Sequence, residues 1–164
     1  MGSWIAENVR DAVGPVLPPH YPTCLGCGPD SPQGFHLQVA REGDDVVTEH
    51  VFEDRHSGAP GIAHGGAVAT VVDDLLGYLL FVVREPGVTR HLEVDYLKPV
   101  LTGVPYRIRG RVDSREGRKC WLSCIGTGPD GAVAFTGRAL FLVVDLAHFA
   151  VGASDGQGRS PIAP

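Results

Sequence analysis

The sequence predicts an α+β domain in which an antiparallel sheet packs on one long apolar helix. Three observations predict it. Gly65 to Val83 is apolar on nearly every helical face, so a helix there must be buried on most sides. The other regular stretches alternate apolar and polar residues and follow one another through short turn-rich links, which suits an antiparallel sheet. Finally, the 164 residues are 43% hydrophobic and 20% charged, the balance of an ordinary folded domain large enough to bury a core.

In chain order, Ile5 to Val13 reads as a short helix ended by Pro15 and Pro18-Pro19. Tyr21 to Gly34 is rich in Gly and Pro and reads as loop. Phe35 to Arg41 and Val46 to Glu53 read as a hairpin about Glu42-Gly43-Asp44-Asp45. A loop from His56 to Ala63 leads into the helix. Four strands follow, Thr89 to Leu97, Val104 to Ser114, Lys119 to Gly126 and Ala132 to Val143, with Lys98-Pro99, Arg115-Glu116-Gly117-Arg118 and Gly128-Pro129-Asp130-Gly131 between them. Gly152 to Pro164 has the composition of a disordered tail. The division is an extension over 1–23, one domain over 24–145 and a tail over 146–164. A sheet that covers one helix leaves its outer face bare, which predicts a homodimer or homotetramer.

The net charge of −5 argues against a nucleic-acid binder, which needs a basic surface to displace phosphate counterions. Asp73 and Asp74 interrupt the central apolar run, so it is not expected to span a membrane. Met1 to Val16 shows no basic region followed by an apolar one, so the expected location is the cytoplasm, with Cys24, Cys27, Cys120 and Cys124 as reduced thiols.

The chemistry concentrates at the helix. A helix N-terminus carries unpaired N–H groups and partial positive charge, and Gly65 and Gly66 leave those amides open to a ligand. A carbonyl placed there would have its developing oxyanion stabilised. Further along, an ionised carboxylate in an apolar helix is costly unless it is paired or lines a wet cavity, which marks Asp73 and Asp74. Adjacent helical residues point about 100° apart, so the two sit in different surroundings. Eight residues from Gly65 to Asp73 rise roughly 12 Å at about 1.5 Å each, so one straight helix cannot bring both to the same carbonyl. Joint action therefore predicts Gly65 from one subunit and Asp73 from another.

Taken together, Cys24-Leu25-Gly26-Cys27-Gly28-Pro29, Pro32-Gln33-Gly34, Pro60-Gly61-Ile62-Ala63-His64-Gly65-Gly66, Asp73 nine residues after His64, and Tyr96-Leu97-Lys98-Pro99 resemble the hotdog thioesterase superfamily. The likeness runs from about Cys24 to Val143 and is to its phenylacetate-pathway branch. It implies a sheet wrapped around a central helix and hydrolysis of an acyl-CoA, or an acyl-carrier-protein thioester, without a cofactor. It puts the oxyanion amide on Gly65 beside His64, and the catalytic carboxylate on Asp73 as nucleophile or general base. Thr89, sixteen residues after Asp73, falls where mitochondrial long-chain acyl-CoA thioesterases of the superfamily carry a catalytic threonine. Some relatives carry Asn or Gln seven residues before the oxyanion glycine; here that position is Gly58.

Gly66 and Asp74 complete the expected substrate side, Asp74 with the lesser role. Lys98, Arg90, Arg118 and Lys119 are the candidates for the CoA phosphates, Lys98 foremost because it ends the strand after the helix. Cys24-x-x-Cys27 resembles half of a zinc site, or a redox pair. His20 offers a third ligand, but Cys120 and Cys124 are not spaced as a second knuckle and nothing supplies a fourth, so no metal is expected. Two other functions fit the same residues, a hydratase or dehydratase and a non-catalytic acyl-thioester-binding protein.

Overall fold

A computed structural model describes residues 15–150. The helix expected over Ile5 to Val13 and the tail after Gly152 lie outside them. β1 (Ala40–Glu42) and β2 (Asp45–Val51) lead through a 3-10 turn (Asp54–His56) to a small hairpin, β3 (Ser57–Ala59) and β4 (Ile62–Ala63). The long helix follows as α1 (Gly65–Gly77) and α2 (Leu79–Val83), then β5 (Gly87–Tyr96), β6 (Pro105–Glu116), β7 (Lys119–Thr127), β8 (Val133–Val143) and a short α3 (Ala147–Ala150). The main sheet has six antiparallel strands in the order β1-β2-β6-β7-β8-β5 and wraps the helix, as expected of an α+β domain.

Three elements differ from the sequence expectation. The strand expected over Phe35 to Arg41 is only Ala40–Glu42. His36 takes a left-handed backbone (φ 50°), and Phe35 and Leu37 give their N–H groups to Leu25 and Gly26 of the preceding loop instead of to a strand. The helix is broken at Tyr78, whose N–H is shared between the carbonyls of Asp74 (3.3 Å) and Leu75 (3.1 Å), the tightening of a final turn. The hairpin β3–β4 was not expected, since its five residues carry no usable alternation.

Val68, Val71, Val72, Leu75 and Leu76 of α1 are fully buried against inward residues of the sheet, among them Val46, Ile108, Leu122, Phe135 and Phe141. The helix pair is long and apolar enough to cross a bilayer by composition alone, yet this sheet occupies its apolar surface. Alternation is clear along β6 and β7, where Tyr106, Ile108, Cys120, Leu122 and Cys124 point inward. Leu17 joins the same core and gives its N–H to Val39 at 2.9 Å, so the segment before the Cys24 loop packs as part of the domain.

Helix and sheet meet closely at Gly137. A Cβ there would overlap Val72 and lie 2.9 Å from Cys124 Sγ. We expect Gly137→Ala to lower stability by about 1–3 kcal/mol through overpacking, read by chemical denaturation. Unchanged stability would mean that the helix has room to shift.

Candidate active site

The entrance to α1 is held from several sides. His64 is the N-cap, its backbone extended, and its Nδ1 accepts the Gly66 N–H at 2.9 Å. The His64 carbonyl accepts from Ala67 and Val68, and the His64 N–H donates to His56 at 2.7 Å. Ala63 donates to the Val100 carbonyl at 2.8 Å, tying the entrance to the segment after β5. Tyr96 donates its hydroxyl to the Gly65 carbonyl at 2.6 Å. The Gly66 amide is thus occupied by His64, while the Gly65 N–H makes no hydrogen bond among the described residues. Gly65, Tyr96, Leu97 and Lys98 line a shallow cleft there.

Asp73 and Thr89 come together at a separate place. Thr89 Oγ1 donates to Asp73 Oδ1 at 2.8 Å. The β5–β8 register shifts between Thr89 and His91, leaving Arg90 as the extra residue. Such a bulge re-aims neighbouring side chains, and Thr89 faces the helix. The pair lies on the wall of a cavity of about 320 Å³ whose other lining includes Leu80, Phe81, Val88 and Phe141. Burial holds the Asp73 carboxyl above its usual range, and the Thr89 hydrogen bond works in the opposite direction.

Gly65 and Asp73 therefore open into different clefts of one chain. The cation candidates divide in the same way. Lys98 is at the Gly65 cleft, ion-paired with Asp130 at 3.5 Å. Arg118 and Lys119 are exposed on the β6–β7 turn near the Asp73 end, where Arg118 donates to the Val143 carbonyl beside Gly87. Arg90 is exposed next to Thr89. Gly58, where some relatives carry an amide side chain, backs directly on the helix entrance: a Cβ there would lie 2.9 Å from His64 Cα. A side chain at that position would require the helix entrance to shift.

Asp74 turns away from Asp73 into a cluster with His20, Cys24 and Cys27. Its Oδ1 lies 3.1 Å from His20 Nδ1 and accepts from Cys24 Sγ at 3.2 Å. Burial opposes charge on His20, but its hydrogen bonds to Asp74 and Cys24 outweigh that and raise it to about 9. Hydrogen bonding from Cys27 lowers the Cys24 thiol against the effect of burial. Tyr96 and the completion of this cluster by Asp74 were missed in the sequence. Tyr96 stood inside the Tyr96-Leu97-Lys98-Pro99 motif, but neither strand alternation nor spacing says that its hydroxyl reaches the helix start.

Comparison with known proteins agrees with this architecture. A family model described as Thioesterase superfamily matches residues 60–134. An acyl-coenzyme A thioesterase THEM4 from Bos taurus is 30% identical over 115 residues, which is 68% of this chain and 47% of the relative. The chain thus spans about half the length of that relative. The zebra fish thioesterase superfamily member 2 structure superposes with a TM-score of 0.63 at 24% identity, covering 70% of this chain and 89% of that one. A Streptococcus pneumoniae hypothetical thioesterase solved with coenzyme A gives a TM-score of 0.62 at 21% identity, over 66% of this chain and 85% of that one. The sheet wrapped on its helix is thus the fold of these solved thioesterases, and the segment 60–134, which carries His64, Gly65 and Asp73, is similar to the Thioesterase superfamily.

Proposed function

We propose that this protein hydrolyses acyl-CoA thioesters, with Asp73 as nucleophile or general base and the Gly65 amide as oxyanion donor. The observation that carries the reading is the half-buried Asp73 bonded to Thr89 on the wall of an apolar cavity. Burial keeps the carboxylate poorly solvated and reactive, and Thr89 holds its orientation and that of an attacking water. The relatives named above support the thioester class, and the Streptococcus pneumoniae protein supports CoA as the carrier. That protein has also been solved as two alanine variants, of an aspartate and of a threonine sixteen residues apart, the spacing of Asp73 and Thr89.

The site needs two chains. β5 is an edge strand of the main sheet. Near one end Thr89 touches Asp73, and at the other Tyr96 touches Gly65. Antiparallel pairing of two β5 edges sets Thr89 of one chain opposite Tyr96 of the other, which brings each carboxylate towards the partner's oxyanion amide. The thioester then lies across the boundary, its acyl chain in the cavity behind Asp73 and its phosphates near exposed cations such as Lys98, Arg90, Arg118 and Lys119. A dimer is the smallest active unit, and a tetramer is compatible with it. Four free cysteines suit a reducing compartment, and we place the protein in the cytoplasm.

The test is thiol release from a panel of acyl-CoAs of graded chain length and aryl type, beside an enoyl-CoA hydration assay. Thiol release without hydration supports the proposal. Hydration would favour a hydratase, and binding of acyl-CoA without turnover across the panel would favour a carrier.

A further inference from the structure

The cluster behind the catalytic aspartate has the composition and the shape of a metal site. One nitrogen of His20, the sulfurs of Cys24 and Cys27 and one carboxylate oxygen of Asp74 all lie within 4.8 Å of one another. Three of their separations are 3.1 Å (His20 Nδ1 to Asp74 Oδ1), 3.2 Å (Cys24 Sγ to Asp74 Oδ1) and 3.3 Å (Cys27 Sγ to His20 Nδ1). Zinc bonds of about 2.0–2.3 Å in a tetrahedron give ligand-to-ligand edges of roughly 3.3–3.8 Å. Three of the six edges therefore lie within a few tenths of an ångström of that tetrahedron, and the others are no longer than 4.8 Å, before any ion is considered.

Other features of the cluster point the same way. The His20 N–H approaches Cys27 Sγ at 3.2 Å, the kind of outer hydrogen bond that steadies a thiolate ligand. The loop between the cysteines is tightly turned: Gly28 donates to the Cys24 carbonyl at 2.9 Å, and Cys24 to the Tyr21 carbonyl at 3.0 Å. A Cβ on Gly26 would overlap the Asp74 carboxyl group, and one on Gly28 would overlap the backbone of Cys24, so both glycines make room for this arrangement. The Asp74 side chain is only 9% exposed, yet its Oδ2 has no hydrogen-bond partner among the described residues. A buried carboxylate oxygen left unpaired is costly unless a ligand takes it.

We propose that His20, Cys24, Cys27 and Asp74 bind one zinc ion as a closed, structural Cys₂-His-Asp site. Four protein ligands leave no open position for a substrate or an activated water, so the ion takes no part in hydrolysis. Its role is to fasten the segment carrying His20 and the loop carrying both cysteines to helix α1. Asp74 is held by it, and Asp73 follows from the rigidity of the helix between them. The pair of adjacent aspartates then divides cleanly, one for metal and one for substrate.

The test uses the full chain without a histidine tag, produced in zinc-supplemented medium and purified under reducing conditions without chelator. Elemental analysis should find one zinc per chain. After zinc is stripped, cobalt(II) should restore the intense visible bands of a tetrahedral cobalt-thiolate centre, and the melting temperature should rise on adding back zinc. Cys27→Ser and the near-isosteric Asp74→Asn should each weaken zinc binding by at least about tenfold, whereas Cys120→Ser, in the core on β7, should not. Should Cys27→Ser fail to fold, Asp74→Asn and the cobalt spectrum still decide. Zinc absent above background together with no tetrahedral cobalt spectrum would overturn the proposal, as would a Cys24–Cys27 disulfide in the reduced preparation. None of these readouts depends on thioesterase activity.

Discussion

Replacing Asp73 with Asn is expected to lower acyl-CoA turnover by about 10²–10⁴-fold while the protein stays folded and becomes more stable at neutral pH. The two halves of that expectation share one cause. Burial raises the Asp73 carboxyl above its ordinary value, so the folded chain holds this proton more tightly than the unfolded chain does. The stability Asp73 contributes is fully present below the ordinary carboxylate value near 3.8 and is lost as pH rises through the raised folded value. At pH 7 the ionised group is a liability, which Asn removes while keeping an oxygen to accept from Thr89 at the position now bonded at 2.8 Å. The wild-type rate should correspondingly fall in acid with an apparent pKa above the ordinary range. Thiol-release kinetics and thermal melts at pH 4 and pH 7 check the set. An active Asp73→Asn enzyme would remove Asp73 from the chemistry.

Gly65→Pro should be nearly as inactive, losing about 10²–10³-fold in kcat, and its defect should be curable by a second dead protein. Proline removes only the N–H. Gly65 is the first helical residue, the position where proline is best accepted, and His64 before it already has the extended backbone that a following proline requires (φ −64°, ψ 136°). The cost is a close approach to the Tyr96 ring, about 3.3 Å from a new Cβ. If each site takes its amide from one chain and its carboxylate from the other, a Gly65→Pro chain paired with an Asp73→Asn chain carries one intact site. Random pairing of equal amounts gives half mixed dimers with one working site of two, or about a quarter of wild-type activity. Co-expression with two separable tags measures this. No recovery in mixed dimers would place both groups in one chain.

Much of this was legible in the sequence because the pattern that buries the helix is the pattern that exposes its exceptions. Asp73 and Asp74 stand out against Val68, Val71, Val72, Leu75 and Leu76, and the rise of a straight helix separates Gly65 from Asp73 without coordinates. The strands β5 to β8 announce themselves by alternation and by turns such as Gly128-Pro129-Asp130-Gly131. Contacts that depend on side chains meeting across the fold were not legible. Asp74 completes the His20, Cys24 and Cys27 cluster across at least 47 residues of chain, and no local spacing encodes that. The first strand failed for a local reason, since His36 adopts a left-handed backbone that residue preferences do not announce.

Strand β5 behaves mechanically as a rail with two stops. One end is coupled to the Asp73 carboxylate through Thr89, the other to the Gly65 carbonyl through Tyr96. Its ladder to β8 runs from Gly87 to Tyr96, so it cannot slide without breaking register along its whole length. The placement of the two proposed catalytic groups is therefore constrained by both the helix and the strand. The bulge at Arg90 interrupts that ladder once, directly beside Thr89.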